Sequence, residues 1–301
     1  MSVNPGSLIT AANYNSLQSR VKNLLGAGFG GTGYGQTLVS APVAVGESVT
    51  AEHMNLLRED INRAHVHQTG SLTSLLEIDP QDLISANAIN GDTEKGFNSF
   101  IALVTILEDN AGEVDGTQVT LETATTSTRF AGWSGQLVHM FTVNFDDANH
   151  RRAFFNAGGE IQISAEIVGD NSTQGQDWNS ILTNMGTIKF GKDTTTKTGA
   201  AGIVQPVGNF DLTSSFQEIF QRRGQADYYA ENRYFIYAKE TAQNAIQFRI
   251  EFLDNDQGDP NEDEIVRGTL TSVIKQLRPT GSYVSVDSPS YSTQSSLDEG
   301  D

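Results

Sequence analysis

The spacing of the apolar residues changes near Asp115, and this change constrains the fold more than any other feature of the sequence. Before Asp115, apolar side chains recur every three or four residues, which is typical of amphipathic helices. After it, apolar and polar residues alternate in short runs rich in β-branched and aromatic side chains, which is typical of half-buried strands. The sequence therefore predicts an α+β fold, in which an N-terminal helical segment precedes a mainly antiparallel, sandwich-like β domain with short helices.

Three helices are predicted in the N-terminal part. The first begins after Thr10 and ends at Gly26, and the second begins after Thr50, because threonine is a favourable N-cap and glycine a common helix stop. The third lies in "GFNSFIALVTILEDN". The predicted apolar stripes are, in chain order, Tyr14, Leu17 and Val21; Met54, Leu57, Ile61 and Ala64; and Phe97, Phe100, Ile101, Val104 and Leu107.

The first two predicted helices share residue identities as well as the same order of cap and apolar positions. The segment "ITAANYNSL" from Ile9 aligns without gaps with "VTAEHMNLL" from Val49 and agrees at Thr, Ala, Asn and Leu. A weaker echo, "ISANAIN" from Ile84, precedes the third helix. These matches indicate a short internal duplication.

The glycine-rich segment "GAGFGGTGYG" contains the spacing G-x-G-x-x-G at Gly28, Gly30 and Gly33, which is found in dinucleotide-binding loops. Such a loop requires a strand before it and a helix after it. Here a helix precedes the glycines and the extended segment "QTLVSAPVAV" follows them. We therefore interpret residues 26–46 as a flexible or tightly turning structural joint and not as a nucleotide site.

The chain is strongly acidic, with 37 acidic and 19 basic residues and a formal net charge of -18. Such a surface repels phosphate groups, so neither nucleic acid nor an anionic membrane is expected as a partner. The sequence contains no cysteine, which excludes disulfides and thiolate chemistry. The N-terminal residues lack the basic and apolar regions of an export signal, and no membrane insertion is expected.

Two groups of residues are candidate metal ligands. His65 and His67 lie two residues apart near the end of the second helix, where a solvated or capping role is favoured. The acidic run "DNDQGDPNEDE", with Asp254, Asp256 and Asp259, is the best candidate for calcium because hard cations prefer oxygen ligands. It departs from the EF-hand pattern, so a solvated hairpin loop is the favoured interpretation.

The sequence predicts neither catalytic residues nor a cofactor, because no nucleophile, metal or phosphate motif occurs in a suitable context. Large aromatic residues are instead interpreted as structural. Phe154 and Phe155 would anchor a corner between a short helix and a strand, and Trp178 would close the same core.

Several segments, namely "RRAFFNAGGEIQISAEIVG", "DWNSILTNMGTIKFG", "ITAANYN", "GTGYGQ" and "REDINRAHVHQTG", resemble virion structural proteins of tailed bacteriophages, especially marine phages that infect cyanobacteria. The resemblance extends to about Gly191. It implies a non-enzymatic virion protein of the tail, collar or fibre. The alternatives are a capsid decoration protein and a carbohydrate-binding module for host recognition, which would show exposed aromatic residues over a shallow groove.

The resemblance and the residue patterns together predict three regions: a helical attachment and oligomerisation region (1–114), a mainly-β domain (115–278) and a Ser-rich acidic tail (279–301). The helical stripes are expected to need something to pack against, either their own β domain or a copy of themselves, because a short isolated segment buries them poorly. The expected partners are copies of the chain in a homo-oligomer, other virion proteins and, in the alternative, a host surface glycan. The expected location is the virion, after synthesis in the host cytoplasm.

Overall fold

The computed structural model describes residues 3–4, 7–28, 31–225, 228–255 and 265–298. The chain forms two compact units. The first, called the helical unit, comprises Met1–Thr120, Arg152–Gly158 and Pro279–Asp287. The second, called the β unit, comprises Leu121–Arg151, Gly159–Arg278 and Ser288–Asp301.

The fold is α+β, with helices first and strands after, as the spacing of apolar residues predicts. The helices are α1 (Ala11–Leu25), α2 (Ala51–Thr69), α3 (Phe97–Asp109), α4 (Ala148–Asn156) and α5 (Thr173–Met185). The strands are β1 (Val119–Arg129), β2 (Gly135–Asn144), β3 (Glu160–Val168), β4 (Ile188–Phe190), β5 (Thr195–Lys197), β6 (Ile203–Val204), β7 (Gln217–Arg223), β8 (Arg233–Ala242), β9 (Ala245–Asp254), β10 (Thr269–Pro279) and β11 (Ser290–Asp298).

Helices α1 and α2 begin with the same capping arrangement. The Thr10 hydroxyl accepts a hydrogen bond from the Asn13 backbone N–H at 3.2 Å, and the Asn13 side chain accepts one from the Thr10 N–H at 3.1 Å. Thr50 and His53 repeat this exchange at 3.3 and 3.1 Å, with the His53 ring nitrogen as the returning acceptor. The caps satisfy backbone N–H groups that a helix start leaves without partners. The predicted helix starts are therefore confirmed.

The internal duplication extends to side-chain contacts. An asparagine amide in each of the first three helices bonds both the N–H and the C=O of one extended residue, at distances from 2.8 to 3.1 Å. The three pairs are Asn15 with Val43, Asn55 with Ile78, and Asn98 with Val3. Asn15 and Asn55 occupy matching positions in the duplicated sequence, so the repeat preserves a backbone-holding contact as well as an apolar pattern.

The apolar stripes of α1, α2 and α3 are buried inside the helical unit. Tyr14, Leu17, Met54 and Ile61 are all 0% exposed. A second chain is therefore not needed to cover these stripes, because the rest of the same chain already buries them. Any surface for a partner must lie elsewhere.

The β unit contains two antiparallel sheets. Their strand orders are β1-β10-β3-β4-β5 and β11-β2-β9-β8-β7-β6. The sheets face each other in a sandwich-like arrangement, since His139 of β2 bonds Ser272 of β10 at 2.8 Å. The rings of Phe190 in β4 and Phe248 in β9 also meet across the interior, with centroids 5.3 Å apart.

Trp178 and the two phenylalanines belong to different cores. Phe154 and Phe155 lie in the part of α4 that belongs to the helical unit, whereas Trp178 of α5 belongs to the β unit. There Trp178 packs edge-on against Trp133, with ring centroids 5.1 Å apart. The prediction that Trp178 closes the core of Phe154 and Phe155 is therefore corrected, because the chain crosses between the two units within α4.

The structure divides the C-terminal segment differently from the predicted tail. Residues Pro279–Asp287 belong to the helical unit, where the Gln36 amide donates to the Ser285 carbonyl at 3.1 Å. Strand β11 then pairs antiparallel with β2 from Ser290 opposite Asn144 to Asp298 opposite Gln136. The serine-rich sequence of β11 is compatible with its place at the edge of the second sheet, which composition alone does not reveal.

The glycine-rich joint folds back on the end of α1. The backbone N–H groups of Tyr34, Gly35 and Gln36 donate to the carbonyls of Leu24, Gly26 and Leu25 at 2.8 to 2.9 Å. These contacts satisfy carbonyl groups that the helix end leaves free. The chain approaches itself so closely that a Cβ atom at Gly33 would lie 2.0 Å from the Gly26 carbonyl oxygen.

We therefore expect Gly33→Ala to lower the free energy of unfolding by more than about 2 kcal/mol, since a backbone atom cannot move aside cheaply. Gly116→Ala is the matched control, because a Cβ there meets nothing within 4 Å and the backbone φ is not positive. Urea unfolding of the two variants measures the difference. Equal stability of both variants would show that the joint tolerates a side chain and would contradict its structural role.

Candidate assembly surface

An apolar groove of about 620 Å³ lies at the start of α1. Its walls come from the residues around the N-cap of α1, from the connector that leads to α2, and from Leu83 and Ile84. They are Leu8, Ile9, Thr10, Ala11, Ala12, Asn15, Val45, Gly46, Glu47, Ser48, Val49, Leu83 and Ile84. We call this set the apolar groove.

Three large apolar side chains of the groove are exposed to solvent. Leu8 is 67% exposed, Val45 is 100% exposed and Leu83 is 70% exposed. Among the described residues, Glu47 is the one charged residue in the lining, although the whole chain carries a net charge of -18. A contiguous apolar and nearly uncharged surface on a strongly acidic protein is typical of a contact site.

The duplicated contacts hold the walls of the groove in place. Asn15 fixes the backbone of Val43 through two hydrogen bonds of 2.8 Å, which positions the connector that carries Val45. An isolated antiparallel bridge joins Leu8 to Ser85, and this bridge brings Leu83 to the same region. The groove is therefore a formed surface within the helical unit.

A second groove of about 660 Å³ occupies the matching place at the start of α2. It contains Thr50, Ala51 and Asn55, the counterparts of Thr10, Ala11 and Asn15. Its chemistry is different, because charged side chains line it: Glu52, Arg58, Glu59, Glu77 and Asp79. The duplication has thus produced one groove with a mostly apolar lining and one whose lining carries several charges.

The two neighbouring histidines of α2 have separate surroundings. The His65 Nδ1 atom lies 2.6 Å from the Ser71 carbonyl oxygen just beyond the helix end, in agreement with a capping role. His67 is only 1% exposed, and its Nε2 donates to the Ala157 carbonyl at 3.0 Å. Burial lowers the pKa of His67 to about 4. A solvated or capping role is therefore wrong for His67, which is a neutral residue of the core.

Asp254 is also a core residue. Its carboxylate accepts hydrogen bonds from the Gln174 amide at 2.7 Å and from the Trp178 indole at 3.3 Å. It is 6% exposed at the end of β9, which corrects its assignment to a solvated loop. Asp256 and Asp259 lie outside the described residues. Within the described ranges, no group of three or more acidic, histidine or cysteine residues is arranged to hold a metal ion.

The nine residues predicted to have a structural or assembly role are all buried, with none more than 2% exposed. They are Tyr14, Leu17, Val21, Met54, Leu57, Ile61, Phe154, Phe155 and Trp178. Their burial is what a core position requires, and it keeps them from direct contact with a partner.

Sequence reasoning missed Leu8, Val45 and Leu83, because these lie outside the periodic stripes. The recurrence of Leu-Ile in "SLIT" and "DLIS" is the signal that could have drawn attention to Leu8 and Leu83.

Comparison with known proteins finds no matching family model, no matching curated protein and no matching solved structure. In the part of the chain that the structure describes, no helix has both the length and the apolar character needed to cross a bilayer.

Proposed function

We propose that this chain is a non-enzymatic structural protein of a tailed-phage virion, a component of the tail, collar or fibre that assembles with copies of itself through the apolar groove. The observation that carries the proposal is the exposure of Leu8, Val45 and Leu83 around one formed groove. The resemblance of several sequence segments to phage virion proteins supports the class of protein.

A second copy of the chain is the occupant that the charge distribution favours. Two copies with a net charge of -18 each repel one another over most of their surfaces. Close approach is least unfavourable where both copies carry little charge. Among the described residues that line the groove, only Glu47 is charged. Burial of each exposed Leu or Val side chain would contribute about 1.5–3 kcal/mol.

Buried polar groups of the helical unit support a scaffold role. Asp60 is 0% exposed and accepts hydrogen bonds from the backbone N–H groups of Val39 and Ser40 at 3.1 and 2.8 Å. The Gln68 amide donates to the Tyr34 hydroxyl at 2.8 Å and to the Leu107 carbonyl at 2.9 Å. These side chains fix irregular connectors to the helices, as a rigid attachment unit requires.

The state of assembly of three full-length proteins tests the proposal: the wild type, Leu8→Ser/Leu83→Ser and Leu72→Ser/Leu76→Ser. The last variant is the matched control, because Leu72 and Leu76 are 65% and 43% exposed in the same unit but outside the groove. Light scattering after size-exclusion chromatography should give oligomers for the wild type and the control, and a monomer for the groove variant. A monomeric wild type at high concentration, or a groove variant that still assembles, would refute self-association through the groove.

The location on the particle needs a separate measurement. Gold-labelled antibodies against the chain, viewed on intact virions by electron microscopy, should label the tail, collar or fibre. Label spread over the head would favour the capsid decoration alternative. Absence of the chain from purified virions would overturn the virion proposal itself.

A further inference from the structure

The outer face of the second sheet of the β unit carries an aromatic cluster. In β8 the alternate residues Tyr234, Ile236 and Ala238 are buried towards the interior, so Phe235 and Tyr237 lie on the opposite face. Their rings are stacked, with centroids 5.6 Å apart and an angle of 27° between the ring planes. Both side chains are of intermediate exposure, so part of each ring is accessible to solvent.

Polar side chains of the adjacent strands surround these rings. Strand register places Glu218 and Arg249 on either side of Tyr237. The same register places Gln221 and Glu251 on either side of Phe235, and Gln247 opposite Lys239. We call the set the aromatic face, which consists of Glu218, Gln221, Phe235, Tyr237, Lys239, Gln247, Arg249 and Glu251.

The charges of the aromatic face are balanced. It contains two acidic residues, Glu218 and Glu251, and two basic residues, Lys239 and Arg249, on a chain whose net charge is -18. Arg249 and Glu251 form an ion pair at 2.5 Å, and the Lys239 ammonium lies 4.3 Å from the centre of the Phe216 ring. The eight residues of the aromatic face therefore carry as many positive as negative charges.

Hydrogen-bonding capacity remains on this face. The Tyr237 hydroxyl and the Gln221 amide make no hydrogen bond with another residue in the described part of the chain. Burial raises the pKa of Tyr237, so its hydroxyl keeps its proton at neutral pH and can donate. A ligand that satisfies the face must combine an apolar surface for the rings with neutral donors and acceptors for these groups.

We propose that the aromatic face binds an uncharged oligosaccharide. The C–H surface of a pyranose ring would pack on Phe235 and Tyr237, and sugar hydroxyls would bond the Tyr237 hydroxyl and the amides of Gln221 and Gln247. The residues of the aromatic face lie on three adjacent strands, so the face could accommodate consecutive sugar units. This site belongs to the β unit and is independent of the apolar groove, and in a virion protein it would supply contact with a glycan surface.

Binding of full-length protein to immobilised neutral polysaccharides tests the inference. The probes are dextran, mannan, galactan and a mixed-linkage β-glucan, with alginate as an acidic polymer. Saturable binding to at least one neutral polymer is expected. Tyr237→Ala should weaken that binding at least tenfold, and Tyr237→Phe should weaken it about fivefold because it removes only the hydroxyl contact. Tyr283→Ala is the matched control, since Tyr283 is an exposed aromatic residue of the helical unit, and it should bind like the wild type.

Thermal unfolding of each variant establishes that it is folded before binding is compared. The proposal is overturned if no neutral polymer binds, if only alginate binds, or if Tyr237→Ala binds as well as the wild type. Loss of oligomers in Tyr237→Ala without any saturable sugar binding would assign the face to a contact between proteins instead.

Discussion

Replacement of Trp178 by alanine is expected to lower the free energy of unfolding by about 4 kcal/mol, near the upper range for a buried aromatic residue. The side chain is 0% exposed and packs against Trp133 and Phe252, with ring centroids 5.1 and 6.0 Å away. Truncation removes these contacts and leaves a large cavity. It also removes the indole N–H that donates to Asp254 at 3.3 Å.

Trp178→Phe separates the two contributions. A phenyl ring retains much of the packing but cannot donate to Asp254, whose carboxylate still accepts from the Gln174 amide at 2.7 Å. We expect a loss of about 1–2 kcal/mol for this variant, the usual range for one hydrogen bond and a small volume change. Urea unfolding followed by circular dichroism measures both values. A loss below about 1 kcal/mol for Trp178→Ala would contradict the packed core described for the β unit.

The sequence predicts the helices well because their local signals agree with one another. In α1 the cap at Thr10, the stripe from Tyr14 to Val21 and the stop at Gly26 all indicate the same segment. The long strands β8 and β9 are equally clear, since their buried residues alternate with partly exposed ones. Local propensity and tertiary packing favour the same structure in these elements, so a single sequence is sufficient to predict them.

Long-range contacts are what the sequence could not supply. The pairing of Asn98 with Val3 joins residues 95 positions apart, and nothing local marks either as a partner. Likewise, the position of Asp254 under Trp178 depends on how α5 packs against β9, which made an acidic core residue look like part of a solvated loop. The aromatic face shows the same limit, because the pattern of β8 predicts alternation but not which neighbours β7 and β9 will provide.

Strand β11 shows that composition can mislead about order. Its serine-rich sequence resembles a disordered tail, and the side chains of residues 292–295 are exposed. Backbone pairing with β2 over Ser290–Asp298 provides the missing stabilisation, since every strand residue has a partner on β2. Such pairing depends on an available edge elsewhere in the fold, which a local reading of residues 279–301 does not contain.

Acidification from pH 6.5 to pH 4 is expected to destabilise the protein steeply, because two histidines are buried in their neutral form. Burial lowers the pKa of both His67 and His139 from 6.5 to about 4. In this window the unfolded chain binds protons at these positions and the folded chain does not, so stability falls as pH falls. Above pH 6.5 both histidines are neutral in either state and do not lower stability. By pH 4, protonation of the unfolded chain lowers the free energy of unfolding by about 3 kcal/mol for each histidine, because one unit of pKa difference corresponds to about 1.36 kcal/mol.

Neutral replacements that keep each hydrogen bond isolate this effect. His67→Gln retains a donor to the Ala157 carbonyl, and His139→Asn retains a polar partner for the Ser272 hydroxyl. Each variant should flatten the dependence of unfolding free energy on pH between 6.5 and 4, whereas His65→Gln, from the same helix as His67, should retain the steep fall of the wild type. The measurement is urea unfolding at half-unit intervals of pH. Carboxylates also contribute to acid unfolding, so the decisive quantity is the difference in slope between each variant and the wild type. Parallel curves for wild type, His67→Gln and His139→Asn would mean that the two rings accept protons in the folded state, and burial of neutral histidine would then not limit stability in acid.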